Sequence, residues 1–534
     1  MENVIVNQKN INVLLIQPYV TSEDPNIFLI EPLGLSTLAN YIKDSYNVKI
    51  IDLFALGCDN LEKKGSFYTR GLSDPAKIIE LVRQFDPDVV GISSKFTSLS
   101  TDADEVAKLI KTVFEKVLIF FGGPHATFDA DNILKTCPYI DFIVRSEGEL
   151  TFKEALDKIA SGDSFNEVKG ITYRTKEGTI IKNPDREFIP DLSILPLNDR
   201  SNLDMSYYLK SNLKILSFVK QEPVVTLMTS RGCPYNCIFC STKNMWRLKW
   251  RPIPAKQVVD EIELLVNKYG VKEIAINDDQ FMFDKQRVID ICDLLIEKKL
   301  GITVSNPAGT SIWLVDEELL KKMKKAGFYR LNFPIETGDP NTVKFIKKPI
   351  NLDRAKKIID IALRLGFWTQ GNFIIGFPHE TKEEIETTIK YAFDSGLDYA
   401  HFFIAQPYKG AELYDVFLKE GLLNKVQRGS DMERTMYDTK TMKAEEIQRI
   451  RDEANRAFVF HKIRFYSNPL NFYNYFLPKN KNFRDIKYTF KLVHKMLIRP
   501  KTFLIRKASV TPSTRGWWGS FLNKKFSAKH DENS

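Results

Sequence analysis

Short apolar runs alternate with amphipathic segments along most of this chain, and no other feature limits its fold so strongly. From Ile11 to about residue 160 the runs are INVLLIQP, VKIIDLF, VVGISS, VLIFFGG and FIVRS. Between them, LGLSTLANYIKD, PAKIIELVRQF, TDADEVAKLIKTVF and FDADNILKTC repeat apolar residues at three- and four-residue spacing, the period of a helix with one buried face. Continuous β-branched runs suit parallel strands covered on both sides, with helices as the crossovers. The pattern predicts an α/β fold that opens with a doubly wound domain over residues 11–160. Such a domain binds ligands at the carboxyl ends of its strands.

From Gly170 the alternation breaks. GITYRTKEGTIIKNP reads as a hairpin turning at Glu177-Gly178, and REFIPDLSILPLNDRSNL as a proline-bearing linker, together filling residues 161–216. Six further runs follow: PVVTLMTS, KEIAIND, GITVSNPAG, YRLNFPIE, TQGNFIIGFP and AHFFIAQP. Each of the first five leads into a helical pattern, such as AKQVVDEIELLVNKYG, KQRVIDICDLLIEKK or NLDRAKKIIDIALRLG. Serial βα units predict a partial (βα)6 barrel over residues 217–445, with functional groups at strand ends. Residues 446–534 read as a basic, helical carboxyl-terminal extension whose last dozen residues are disordered.

A length of 534 residues agrees with such a division into two or three domains. Hydrophobic residues at 43% and charged residues at 27% exclude a disordered chain. No apolar run approaches the ~18 residues needed to cross a bilayer. No basic segment followed by an apolar core opens the chain, so a cytoplasmic protein is expected. The net charge of +9 is local: residues 461–534 hold 16 Lys and Arg against 3 Asp and Glu, and the remainder 61 against 65. The body therefore lacks the basic face that nucleic acid requires, and no nucleic-acid partner is expected.

Six cysteines are present, and Cys233, Cys237 and Cys240 fall within eight residues at C-x3-C-x2-C spacing, directly after the first barrel strand. Cys58, Cys137 and Cys292 are scattered. Clustered thiols in a large chain point to metal or redox chemistry rather than a disulfide framework. A structural zinc site wants four closed ligands, and no fourth Cys or His lies nearby. Three buried thiols without a metal are the bland alternative, but Gly232, Pro234 and Asn236 place them in a loop. A four-iron four-sulfur cluster with three protein ligands fits best, because it leaves one iron open for an exogenous ligand.

With these residues the chain resembles the radical S-adenosylmethionine (radical SAM) superfamily, whose signature is this spacing and whose partial barrel matches the serial βα units. The resemblance implies that Cys233, Cys237 and Cys240 hold a [4Fe-4S] cluster. Its open iron would chelate S-adenosylmethionine, and one electron would release a 5′-deoxyadenosyl radical. Phe239 occupies the usual aromatic place before the last cysteine. At later strand ends lie Asp278-Asp279, Glu336-Thr337-Gly338 and Ile375-Gly376-Phe377-Pro378. The family analogy makes Phe239, Asp278, Glu336 and Gly376 contacts of S-adenosylmethionine. Asp278 and Asp279 would equally serve as helix caps, and Gly376 and Pro378 as shapers of a loop lining the pocket. Asn244, Trp246 and Arg251 either help close the cluster or lie at the surface.

Glycine-bearing strand ends also mark the first domain: Glu31-Pro-Leu-Gly-Leu35, Phe121-Gly-Gly-Pro-His-Ala-Thr-Phe128 and Arg145-Ser-Glu-Gly-Glu149. Glycine lets backbone approach a ligand closely. In this order before the barrel they resemble the cobalamin-binding class of radical SAM enzymes, over roughly residues 11–460. The resemblance implies a cobalamin cofactor contacted by Gly34, Ser93, Ser94, Thr97, Gly122, Gly123 and Gly148. The D-x-H-x-x-G motif that gives histidine to cobalt elsewhere is absent, as in many radical SAM relatives, and His125 reads as a satisfied loop histidine. The implied activity is methyl transfer to an unactivated carbon, or phosphorus, of a small biosynthetic intermediate. An external flavodoxin- or ferredoxin-type donor would supply the electron. Alternatives are a cyclase or rearrangement on the same architecture, or a cobalamin- or redox-sensing binding protein. A methylthiotransferase would need a further cysteine trio. In the tail, Trp517 and Trp518 between cationic residues suggest weak contact with anionic lipid headgroups.

Overall fold

The computed structural model describes residues 11–23, 25, 28–95, 97–210, 219–423 and 437–492. The expectations for Trp517, Trp518 and a disordered end lie outside the described residues.

Strands β1 (Asn12–Gln17), β2 (Asn47–Asp52), β3 (Val89–Ser93), β4 (Leu118–Gly122) and β5 (Phe142–Val144) run parallel in the order β2-β1-β3-β4-β5. Alternate side chains leave opposite faces. Leu14, Ile16, Val90, Ile92 and Phe121 meet α2 (Pro75–Phe85), α3 (Ser100–Val113) and α4 (Ala130–Thr136). Val13, Leu15, Val89 and Phe120 meet α1 (Leu33–Ile42) and α5 (Gly148–Ser161). Both faces are covered, which is why these strands read as unbroken apolar runs.

The hairpin expected around Glu177-Gly178 forms, and it joins the first sheet. Its strands, β6 (Ile171–Arg174) and β7 (Ile180–Lys182), extend the sheet antiparallel to β5 and make it seven-stranded. Ile171 and Thr172 are fully buried there and Tyr173 stacks against Phe142, so the first structural unit continues past residue 160. A small antiparallel sheet of Val20–Ser22, Leu61–Lys64 and Phe67–Arg70 was not legible in the sequence, since its strands are short and the middle one in sequence, Leu61–Lys64, is fully exposed.

The second sheet holds six parallel strands in sequence order: β8 (Val224–Leu227), β9 (Glu273–Ile276), β10 (Thr303–Asn306), β11 (Phe328–Glu336), β12 (Trp368–Ile375) and β13 (Tyr399–Ile404). The outer strands β8 and β13 do not pair, so the barrel is partial, as expected. Asp284, Asp316, Asn351 and Thr381 each accept a backbone N–H at the start of a crossover helix, and such caps fix where the strand-end loops stop. A helix at Ala444–Ser467 packs on β13 through Ile447, Ala454 and Phe458.

The chain beyond that helix is tied to the barrel by a buried ion pair. Lys479 Nζ lies 2.5 Å from Asp398 Oδ1, which also receives the Tyr466 hydroxyl, while Oδ2 accepts from Thr369 N at 2.8 Å. Removing one member of a buried pair strands the other charge. Asp398→Leu should therefore cost about 3–5 kcal/mol in chemical unfolding, and adding Lys479→Met should restore part of it. Losses that simply add would show that the two residues are not coupled.

Candidate functional site

The loop after β8 starts from a fixed platform. Ser230 and Arg231 pair with Arg251 and Pro252 as a two-residue ladder. Gly232 then turns at φ 89°, where a Cβ would stand 2.0 Å from the Lys249 carbonyl oxygen, so only glycine fits. Cys237 is buried, Cys233 and Cys240 are half-buried, and all three are free thiols. Leu413 N donates to Ile238 O at 2.8 Å, which anchors the far end of the loop.

Asp278 braces the loop that leads to the cysteines. Its carboxylate accepts from Thr229 N at 2.5 Å and from the Thr229 and Ser230 hydroxyls at 2.6 Å each. It caps no helix, that duty falling to Asp284, and its acceptors are spent on the loop leading to the cysteines. Asp279 beside it stays exposed.

Burial pushes the Cys233 thiol up to about 12 and Cys237 up to about 11, with Lys348 opposing the rise at Cys237, and Cys240 is also raised. An isolated thiolate is thus disfavoured, and a bound metal would be what deprotonates them. Among the described residues no three His, Cys, Asp or Glu side chains converge on a single ion. A cluster spreads its ligands more widely, one thiolate to each iron. Cys58, Cys137 and Cys292 sit in the hydrophobic cores instead.

Glu336 ends β11 at φ 70°, next to a register shift between Pro334 and Glu336. Its carboxylate is buried and meets Lys348 Nζ at 2.8 Å. Lys348 in turn lies 5.8 Å from the Phe239 ring centre and 5.3 Å from that of Trp313. Sequence reasoning found Glu336 and Phe239 and missed Lys348, twelve residues on, which a lysine-rich stretch does not distinguish. Thr337 and Gly338 are structural: the Thr388 hydroxyl meets Thr337 Oγ1 at 2.8 Å and accepts from Gly338 N, and a Cβ on Gly338 would stand 2.2 Å from Tyr391 Cβ.

Gly376 takes the loop-shaping role that the sequence offered beside the ligand contact. At φ 83° its N–H donates to Glu380 Oε2 at 2.7 Å, and a Cβ would meet Ile447 Cγ2 at 2.9 Å. It shapes the loop between β12 and the outer helix. Burial lifts the Glu380 carboxyl to about 8 even though Phe377 N and Gly376 N donate to it.

A cavity of about 320 Å³ opens between the two domains, walled by the carboxyl ends of β1, β3, β4 and β5 and by Met228, Arg231, Trp246 and Glu261 of the barrel. Gly34, Ser93, Gly122, Gly123 and Gly148 line it. A Cβ on Gly34 would touch nothing within 4 Å, and on Gly122 or Gly148 nothing closer than 3.9 Å. No protein atom demands glycine at these three positions, and side chains there would fill the cavity. Residues at this cradle thus fit a large planar ligand. Gly123 is held by its own fold, with φ 110° and a Cβ that would lie 2.7 Å from Ser94 O. Ser94 and Thr97 are not among the residues that line the cavity: Ser94 is buried with its hydroxyl unpaired, and Thr97 Oγ1 is 3.1 Å from His125 Nδ1. His125 lies on the short helix Pro124–Phe128, not in a loop, and its ring Nδ1 is paired with Thr97. Lys95, a wall residue that sequence reasoning passed over, has its ammonium lowered by burial against the pull of Asp52 and Glu31.

The domains are joined across this cavity by buried charge. Arg231 donates to Glu147 Oε1 at 2.7 Å and Glu149 Oε1 at 2.6 Å, and Arg251 to Glu147 Oε2 at 2.9 Å. Burial raises the Glu149 carboxyl, but the Arg231 guanidinium more than offsets this and holds it below its ordinary value. Glu31 accepts from Thr226 N and Oγ1 on β8, and Arg200 bridges Glu261 and the Thr226 carbonyl. The SEGE segment and Arg251, both noted in the sequence, thereby acquire a positioning duty two residues from Cys233. Trp246 packs beside Phe188 and Arg251, whereas Asn244 stays exposed with Nδ2 donating to Gly410 O.

Known proteins share this arrangement. The Radical SAM superfamily profile matches residues 227–392, and the B12 binding domain profile matches residues 28–156. An uncharacterized methyltransferase of Pyrococcus horikoshii is 38% identical over 392 residues, covering 73% of this chain and 79% of its own. The cytidylyl-2-hydroxyethylphosphonate methyltransferase of Streptomyces wedmorensis is 32% identical over 424 residues, covering 74% and 79%. Among solved structures, the radical S-adenosylmethionine methyltransferase TsrM of Kitasatospora setae, with cobalamin and a [4Fe-4S] cluster bound, superposes with a TM-score of 0.62. That match covers 78% of this chain and 79% of the other at 16% identity, a likeness of fold.

Two measurements probe this geometry. Arg231→Met leaves Glu147 and Glu149 without their shared partner and should cost about 3–5 kcal/mol in chemical unfolding; an unchanged midpoint would rule out the network as the domain tie. For Glu380, the unfolded chain sheds its proton near 4.5 and the folded chain only near 8. Stability therefore falls as pH rises through that window, by about 1.4 kcal/mol per unit at most. Glu380→Gln should flatten this decline, and an identical slope in the variant would refute it.

Proposed function

The chain belongs to the radical SAM superfamily, in the class that carries a B12 binding domain, and from that premise we propose that it is a methyltransferase. It is an enzyme whose cofactors are a [4Fe-4S] cluster, S-adenosylmethionine and cobalamin. The reaction we assign is methylation of an unactivated carbon, or of phosphorus, in a small biosynthetic intermediate, with a flavodoxin- or ferredoxin-type protein as electron donor in the cytoplasm. The observation that carries this reading is the cavity shared by both domains, with strand-end glycines on one side and the start of the cysteine loop on the other. It gives a methyl donor and a radical source access to one substrate.

Bound together, the cofactors supply a radical that takes a substrate hydrogen and a methyl group that replaces it. The chain's own residues do the rest. Cys233, Cys237 and Cys240 hold the cluster as thiolates. Glu336 and Lys348 form one buried pair of opposite charge, suited to the ammonium and carboxylate of an amino-acid group, and they orient S-adenosylmethionine. Phe239 and Phe377, 6.4 Å apart between ring centres, exclude water from that side. Gly34, Gly122 and Gly148 give the corrin room. Arg231 with Glu147 and Glu149 keeps the two cofactor sites in register.

Anaerobic reconstitution with iron, sulfide and cobalamin tests the proposal. The expected result is about four irons per chain, one bound cobalamin, cleavage of S-adenosylmethionine on reduction, and a product heavier by one methylene. Turnover without that mass gain would indicate a cyclase or rearrangement, and bound cobalamin without cleavage a sensor. Cys237→Ala should lose the cluster and reduce cleavage to background while the fold persists. Cys58→Ala, Cys137→Ala and Cys292→Ala should keep full iron content. Retained cleavage in Cys237→Ala would overturn the assignment of the ligands.

A further inference from the structure

The carboxyl-terminal extension carries apolar surface that its docking on the barrel does not use. Nine of the nineteen exposed large apolar side chains among the described residues fall between residues 460 and 490. Residues 483–492 are helical and apolar on two faces. One face, with Asp485, Tyr488, Thr489 and Leu492, is buried, and Tyr488 meets the rings of Tyr329 and Trp368 at 5.4 and 6.0 Å. On the opposite face Phe483 is 82% exposed, Ile486 42% and Phe490 72%, at the three- and four-residue spacing of a single stripe. Just before it, Leu470 and Tyr473 are 71% and 70% exposed. An apolar stripe on a helix normally packs against something.

Charge restricts what covers the outer stripe. Lys481, Arg484 and Lys487 flank it at the surface. The one acid of residues 461–530, Asp485, is turned inward, where it pairs with Lys220 and accepts from Lys481 N. The chain itself is a poor cover, because residues 493–530 bring nine more Lys and Arg and no acid. A second copy meeting face to face would set the same cations against each other. Glu222 on this surface answers Lys491, and what matches exposed aromatics flanked by Lys481, Arg484 and Lys487 is an apolar layer beneath anionic groups. Among the described residues no helix is long and apolar enough to cross a membrane, so the contact lies in the plane of the surface.

We propose that residues 470–490 attach this protein to an anionic lipid surface, with Phe483, Ile486 and Phe490 entering the headgroup region and Lys481, Arg484 and Lys487 meeting its negative charge. The attachment is independent of the reaction assigned above.

Sedimentation of the full chain with vesicles tests it, using phosphatidylcholine alone or mixed with phosphatidylglycerol. The protein should pellet with the mixed vesicles, stay in solution with phosphatidylcholine alone, and be released by high salt. Phe483→Ser with Phe490→Ser should lower partitioning at least about tenfold, as should Lys481→Glu with Lys487→Glu, while both variants keep the wild-type melting temperature and S-adenosylmethionine cleavage. Equal recovery with both lipids, or undiminished binding by the two variants, would overturn the proposal. So would a lowered melting temperature in the serine variant, which would mean the stripe is covered by the protein's own chain. A dimer dissociated by the serine substitutions, or capture of an acidic protein without vesicle binding, would overturn it as well.

Discussion

Four charges at the domain junction, Arg231 and Arg251 against Glu147 and Glu149, are the constraint on which the rest depends. Removing such groups from water costs several kcal/mol each, and here the cost is offset only because each carboxylate lies within hydrogen-bond distance of a guanidinium. Ile189 N supplies a further donor to Glu147 at 2.8 Å. Because the pairing tolerates little displacement, it determines how the strand ends of the first domain face the barrel. Arg231 also immediately precedes Gly232 and Cys233, so the junction and the start of the thiol loop are one rigid piece.

From that piece the chemistry of the site follows in two directions. Toward the first domain lies a cavity whose walls are bare where side chains would have fitted, at Gly34, Gly122 and Gly148. Toward the barrel interior lie the thiols and the Glu336–Lys348 pair, a dipole of side chains beside the rings of Phe239 and Trp313. Two ligand environments of different character, one broad and apolar and the other small and charged, thus meet at the same loop. Family membership names what fills them, and the physical arrangement explains why one chain needs both domains.

The extension beyond the barrel answers to a different constraint. Its inner side is secured by Lys479 on Asp398 and by Tyr488 against two rings at the strand starts of β11 and β12. This is the end of the barrel opposite the strand termini where Glu336 and Gly376 lie. Docking at that end leaves the strand termini unobstructed, and the lipid-facing stripe proposed above lies on a separate surface.

The parallel strands of the two large sheets and the thiol loop were legible in the sequence because they rest on local periodicity and close spacing, which need no knowledge of distant residues. Phe239 drew notice as the aromatic before the last cysteine, and Glu336 and the cavity glycines because they follow apolar runs in the sequence. What only the tertiary structure decided are pairings between residues far apart in the chain: Arg231 with Glu147 at a separation of 84, Glu31 with Thr226 at 195, and Lys479 with Asp398 at 81. The duties of Asp278 and Gly376 belong to the same class, since a strand-end carboxylate or glycine looks the same whether it faces a ligand or holds a neighbouring loop. Periodicity shows which side of an element is buried, but not which buried charge will answer another, because that depends on how finished elements pack.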